Sequence, residues 1–294
     1  MSTRALDVTT VLYALKTLEK GLDSVNWTAF SPLQTQVLVW LDLFRDDLVK
    51  VTGLKAKASK LYQELNRFLS DNGFHPNIEP FDPASGLGVV SILDKLVRWL
   101  YGPGELVTIH SQCKDLPGFK IPAGGVNVYR VEGYQDQRCH LVELLTKSGD
   151  TLWLFLHSDQ TLDGLDLVKL SFDVMSKGRT RNEAIEGAHV PMLDFDIKPD
   201  IGWLLGMSTG GKEGSFSIVQ AEQQFKMRMD ETGARVKVAT SMVAFSCMLR
   251  GPGPLIIDRP FYGWWTQKGF DLPMAAFFAD WDSLKRPDGS LEDL

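Results

Sequence analysis

No stretch of this chain approaches the roughly 18–20 consecutive apolar residues that a membrane-crossing helix needs, so no membrane partner is expected. Cysteine is sparse. Cys113, Cys139 and Cys247 are odd in number, far apart, and match neither a zinc nor a redox spacing, which points to reduced thiols rather than a disulfide framework. Positive charge is not in excess: 31 Lys and Arg stand against 37 Asp and Glu, and no basic stripe marks a nucleic-acid footprint. The five histidines form no pair at metal-binding helical spacing, and no motif calls for a cofactor. The first twenty residues lack the apolar core and small-residue cleavage site of a signal peptide and read as an amphipathic helix. A cytoplasmic location follows as the expectation, or an extracellular one if the sequence is a processed form.

What is present is an ordinary core-forming chain of 294 residues, 44% hydrophobic and 23% charged. Leu12, Leu15, Leu18 and Leu22 repeat at helical spacing. A second helix is expected from Leu33 to Val51, opened by the Ser31 cap and Pro32. A third is expected from Lys55 to Asp71 and a fourth from Val89 to Leu100, so that residues 1–104 read as mainly helical. Residues 105–294 read as mainly β. Val126–Val131, His140–Leu145 and Thr151–His157 are strand-like, with a turn at Ser148-Gly149-Asp150. Further strands are expected over Val190–Ile197, Phe216–Met229, Leu255–Trp265 and Leu272–Ala279, with one helix within Leu165–Met175. Helices first and strands later argue for an α+β fold in a single domain.

Two catalytic-looking motifs do not hold. Gly206-Met207-Ser208-Thr209-Gly210 fits a nucleophile elbow, but a glycine-rich stretch follows Ser208 where a helix should start. His75, His110, His140, His157 and His189 all precede it. Gly206 to Lys212 has phosphate-loop spacing, yet Glu213 stands where a magnesium-binding hydroxyl belongs. Both matches read as one glycine-rich turn. Cys139 and His140 are adjacent in a strand and point to opposite faces. Asp194 and Asp196 share a strand face and read as solvated rather than as an acid–base pair. No enzyme is expected.

The stretch from Gln223 to Trp265 is the most informative. Phe225, Met227 and Met229 alternate with Lys226 and Arg228, and Glu231-Thr232-Gly233 follows. Ala234, Val236, Val238 and Thr240 then share one small or apolar face, while Arg235, Lys237, Ala239 and Ser241 share the other. Met242 to Leu249 is an apolar run, ended by the turn Arg250-Gly251-Pro252-Gly253-Pro254. On these residues alone the stretch is an edge hairpin with a long loop, exposed over about 233–254.

Glu231-Thr232-Gly233 resembles the Glu-x-Gly that opens the reactive-loop hinge of the serpins, and Ala239-Thr240 falls where the hinge's Ala-Thr does. Asp258-Arg259-Pro260-Phe261 is similar to the strand beyond that loop, Phe30-Ser31-Pro32-Leu33 to the Phe-Ser-Pro helix opening, and Val190–Lys198 and Leu204-Leu205-Gly206 to elements before the hinge. The resemblance implies a serpin-like α+β fold and a suicide substrate. The target protease, of serine or cysteine type, acylates the loop, and the hinge residues Glu231, Gly233, Ala234, Val236, Val238 and Thr240 then enter a sheet as an extra strand. Counting from the hinge puts the reactive bond at Cys247, and counting back from Pro260 puts it nearer Leu249. Phe245, Cys247, Met248 and Leu249 suit an apolar specificity pocket and Arg250 a trypsin-like one. A monomer is expected. Several residues depart from the family: Gln34 replaces a serine, Val236 and Val238 replace alanines, and the Asn-x-x-x-Phe-x-Gly-x-Trp strand is not found, Glu105–Gly118 being nearest. A non-inhibitory binding or scaffold protein on the same fold is the alternative.

Overall fold

The computed structural model describes residues 2–23, 26–75, 77–134, 139–157, 162–182, 185–211, 214–234 and 253–291. The first part of the chain forms β1 (Arg4–Leu6), α1 (Val8–Leu22), β2 (Trp27–Thr28), α2 (Pro32–Phe44), a 3-10 turn at Asp47–Lys50, β3 (Leu54–Ser59), α3 (Tyr62–Asp71), β4 (Gly88–Leu93) and β5 (Val97–Arg98). Asp7 opens α1 by accepting from the N–H groups of Thr9 and Thr10, and Ser31 opens α2 by accepting from Gln34 N with Pro32 in the first turn.

The expected helix Val89–Leu100 is instead the strands β4 and β5, and the expected helix Lys55–Asp71 begins as strand β3 and is helical only over α3, so this part is less helical than the periodicity predicts. Leu54–Ser59 pairs antiparallel with Gly88–Leu93, from Leu54 opposite Leu93 to Ser59 opposite Gly88. Lys55-Ala56-Lys57-Ala58 alternates at period two, and Val89, Val90 and Ile92 are β-branched, so both stretches suit a pleated surface. Ser59 Oγ accepts from Leu61 N at 3.0 Å, which parts the strand from α3.

The rest forms β6 (Glu105–His110), β7 (Asp115–Ile121), β8 (Val126–Val131), β9 (His140–Leu145), β10 (Thr151–Leu156), α4 (Leu165–Ser176), β11 (Arg179–Arg181), β12 (Ala188–Pro191) and β13 (Leu193–Ile197). A 3-10 turn at Gly202–Leu204 precedes β14 (Ser208–Gly211), β15 (Gly214–Ser217), β16 (Phe225–Asp230), β17 (Gly233–Ala234), β18 (Leu255–Ile256), β19 (Phe261–Gln267) and β20 (Phe270–Ala279). Three expected strands are each divided, Leu255–Trp265 among them into β18 and β19 of different sheets. Met192 N turns aside to Pro117 O at 2.9 Å, so β12 and β13 enter different sheets. Likewise β15 and β16 are separate strands in different sheets.

Contacts divide the chain into two compact units, both discontinuous in sequence. One comprises residues 1–6, 96–197 and 225–294. It holds a seven-stranded sheet ordered β1-β20-β19-β10-β9-β8-β11, and two four-stranded sheets ordered β18-β12-β7-β6 and β13-β16-β17-β5. Its core is aromatic: Phe195 stacks on Phe225 at 5.7 Å, and Phe277 lies within 6.4 Å of Phe261 and 5.9 Å of Phe195.

The other unit comprises residues 7–95 and 198–224. In it α1 and α3 both pack on the β3–β4 pair, Leu65 of α3 clustering with Val90 and Ile92, and β15-β14-β2 form a three-stranded sheet. Among its buried charges is Glu19, 4% exposed, which accepts from Trp27 Nε1 at 3.0 Å and is ion-paired with Arg45. Burial pushes the Glu19 carboxyl above its usual range in spite of Arg45.

Candidate functional site

Both ends of the segment 235–252 are anchored in the first unit, in different sheets. At the entry, Phe225, Met227 and Met229 of β16 are buried, and the chain reverses over Glu231 and Thr232. Asp230 Oδ1 holds that turn, accepting from Thr232 N at 2.8 Å and Thr232 Oγ1 at 2.7 Å. Glu231 contributes its main chain, the carbonyl accepting from Gly104 N at 2.6 Å.

Gly233 and Ala234 then lie between two strands. They pair antiparallel with Asp230 and Met229 of β16 on one side and with Arg98 and Val97 of β5 on the other. The glycine is required by the approach: a Cβ there would meet Val97 O at 2.3 Å and Arg98 Cα at 3.1 Å. Ala234 is 3% exposed. The first two residues of the expected exposed loop are therefore paired and buried, because a backbone with strands on both sides has no open edge. Val236, Val238 and Thr240, with Phe245, Cys247, Met248, Leu249 and Arg250, lie outside the described residues.

The neighbouring strand was not legible in the sequence. Glu105–Gly118, the nearest candidate, contributes β6 and most of β7 to the other four-stranded sheet, and the strand beside β17 is β5. Trp99 directly follows β5 and is 2% exposed. Its indole N–H donates to Asp230 O at 3.0 Å, and its ring stacks on Phe119 of β7 at 5.8 Å. Trp99 thus joins the hinge turn to the sheet that receives the far end of the loop. A signal existed in a tryptophan just before Tyr101-Gly102-Pro103-Gly104, but a two-residue strand carries no periodicity.

At the exit, β18 runs parallel to β12, with Leu255 N donating to Gly187 O at 3.1 Å and Ile257 N to His189 O at 3.0 Å. Ile257 and Phe261 are fully buried, leading the chain into β19.

Asp194 and Asp196 prove to be neither a dyad nor, for Asp194, a solvated face. Asp194 is 9% exposed and pairs across the sheet with Arg228 at 3.3 Å, while Asp196 faces Lys226 at 3.7 Å. Ser208 lies in β14, opposite Ser217 and Thr28, so the turn that an elbow or phosphate loop would need is a hairpin strand. Cys113 is an exposed free thiol, and Cys139 is buried with its Sγ 4.0 Å from His157 Nδ1.

No protein-family model and no curated protein matches the sequence. Solved structures do. The chain is similar to Serpin48 of the insect Tenebrio molitor, with TM-score 0.60 and 14% identity over 95% of this chain and 92% of that one. It is similar to the mouse protein Z-dependent protease inhibitor, with TM-score 0.54 and 13% identity over 95% and 91%. It is also similar to human thyroxine-binding globulin, with TM-score 0.56 and 11% identity over 94% and 91%. The fold is that of the serpins, α+β with several mostly antiparallel sheets.

Proposed function

We propose that this serpin-fold chain is a protease inhibitor that offers the segment between Ala234 and Gly253 as a cleavable bait and takes part of it up as a strand. The observation that carries the reading is β17, whose two residues already pair antiparallel with strands on both sides. Continuing its register along β16 would set Val236 opposite Met227 and Val238 opposite Phe225, both on the buried face that Ala234 shares with Met229. Each further residue would exchange water for main-chain partners and apolar cover, so cutting the tether would release free energy. The similarity to a protease inhibitor of the same fold supports the reading. The partner proposed is a serine or cysteine protease with an apolar specificity pocket.

The alternative is a serpin-fold binding or scaffold protein, and one observation favours it. On its β5 side the hinge has a partner strand of only two residues, so an inserted segment would find little to pair with there. The similarity to a thyroxine-binding globulin accords with a binding role. Incubation with a panel of serine and cysteine proteases separates the two. The inhibitor reading predicts complexes that survive SDS, whereas clean loop cleavage without any complex leaves only the alternative standing.

A further inference from the structure

Strand β13 is the last in its sheet, so one backbone edge faces away from β16. The chain covers that edge with its own C-terminal segment. Past β20 a turn is closed by Ser283 N and Ser283 Oγ donating to Asp280 O at 3.0 and 2.8 Å. That turn brings the Ser283 carbonyl to accept from Asp194 N at 3.0 Å. The Asp194 carboxylate accepts from Asp288 N at 2.9 Å through Oδ2, while its Oδ1 faces Arg228. Arg228 Nη1 in turn donates to Ser290 O at 2.8 Å. Leu284 and Leu291 are 1% and 0% exposed.

One of these contacts is a main-chain hydrogen bond to the strand edge, and two run from the segment's main chain to the side chains of Asp194 and Arg228, with Leu284 and Leu291 buried. The segment makes them through turns and bends rather than as an added strand. Covering an edge in this way keeps it from pairing with another chain. We infer that the β13 edge is a docking site for a turn-forming peptide, filled in cis by residues 282–291. Asp194 reads the ligand's main chain with both its amide and its carboxylate, and Arg228 sets the carboxylate and takes a carbonyl further along. The inference is independent of any inhibitory action of the loop.

A protease site inserted between Trp281 and Asp282 of the full chain, cut after folding, leaves the segment held without a covalent tether, by these contacts and by Thr3 Oγ1 donating to Asp282 Oδ1 at 2.6 Å. It is expected to stay with the protein through gel filtration and to be displaced, saturably, by a labelled synthetic peptide of residues 282–294. A peptide carrying Asp288→Pro lacks the N–H that Asp194 accepts, and is expected to bind about ten- to a hundredfold more weakly. Immediate loss of the cut segment, or equal binding of the two peptides, overturns the proposal. If the insertion does not fold, Asp288→Pro in the full chain is the second route. Amide exchange at Asp194 then rises about tenfold while Met229 keeps its protection, and an unchanged Asp194 overturns the proposal.

Discussion

Replacing Gly233 by alanine adds one carbon where the sheet has no room for it. The new Cβ would lie 2.3 Å from Val97 O, well inside the 3.0 Å below which real Cβ contacts essentially do not occur. The obstacle is backbone, so no rotamer relieves it. Either β5 moves away from β17, or Gly233 and Ala234 leave the sheet. Overpacking of this kind costs about 1–3 kcal/mol. Losing the pairing of two residues and the cover of Ala234 costs a similar amount, at about 1 kcal/mol per hydrogen bond. At about 2–4 °C per kcal/mol for a chain of this order, melting falls by several degrees. Hydrogen exchange locates the damage: protection is lost at Ala234 and Gly233, while the Leu193–Ile197 pairing with β16 keeps its own. A G233A protein with wild-type melting and full protection at Ala234 would refute the placement of Gly233 and Ala234 between β16 and β5.

Two further perturbations bear on the same account. Trp99→Phe removes the indole donor to Asp230 O and leaves a smaller ring on Phe119, so stability is expected to fall by about 1–3 kcal/mol in denaturant titration, with faster exchange at the hinge turn; equal stability would show that Trp99 does not hold that turn. Glu19→Gln tests one buried carboxyl of the second unit. A folded acid with a raised pKa keeps its proton where the unfolded chain has lost it. Its contribution therefore makes stability fall as pH rises from 4.5 through the folded value. The Gln variant has no proton to lose, and its melting temperature is expected to lack that decline across the acid range. An unchanged slope would assign it to another group.

The parts of the fold that were legible in sequence are those whose signals are local. The alternation of Phe225 to Met229, the Ser31-Pro32 start of α2 and the Ser148-Gly149-Asp150 turn each follow from a few adjacent residues. The β3–β4 pair was misread because Leu, Lys and Ala are also good helix formers, and only the pairing over some thirty residues decides the matter. Asp194 shows the same limit at the candidate site. Its partners Arg228 and Asp288 lie 34 and 94 residues away, so strand alternation alone made it look solvated. The turn at Glu231-Thr232-Gly233 was legible, yet the burial of Gly233 and Ala234 after it depends on β5 and Trp99, which carry no periodic pattern. Sequence similarity added little, since the solved serpin folds are at most 14% identical in the comparisons described.

The central proposal is that the chain after Ala234 enters the sheet as a further strand once its tether is cut. Cutting the chain once between Phe245 and Arg250 and comparing the melting of nicked and intact protein tests it directly. The account predicts a large rise in melting temperature on nicking, with new protection along β16. An equal or lower melting temperature after the cut would contradict it.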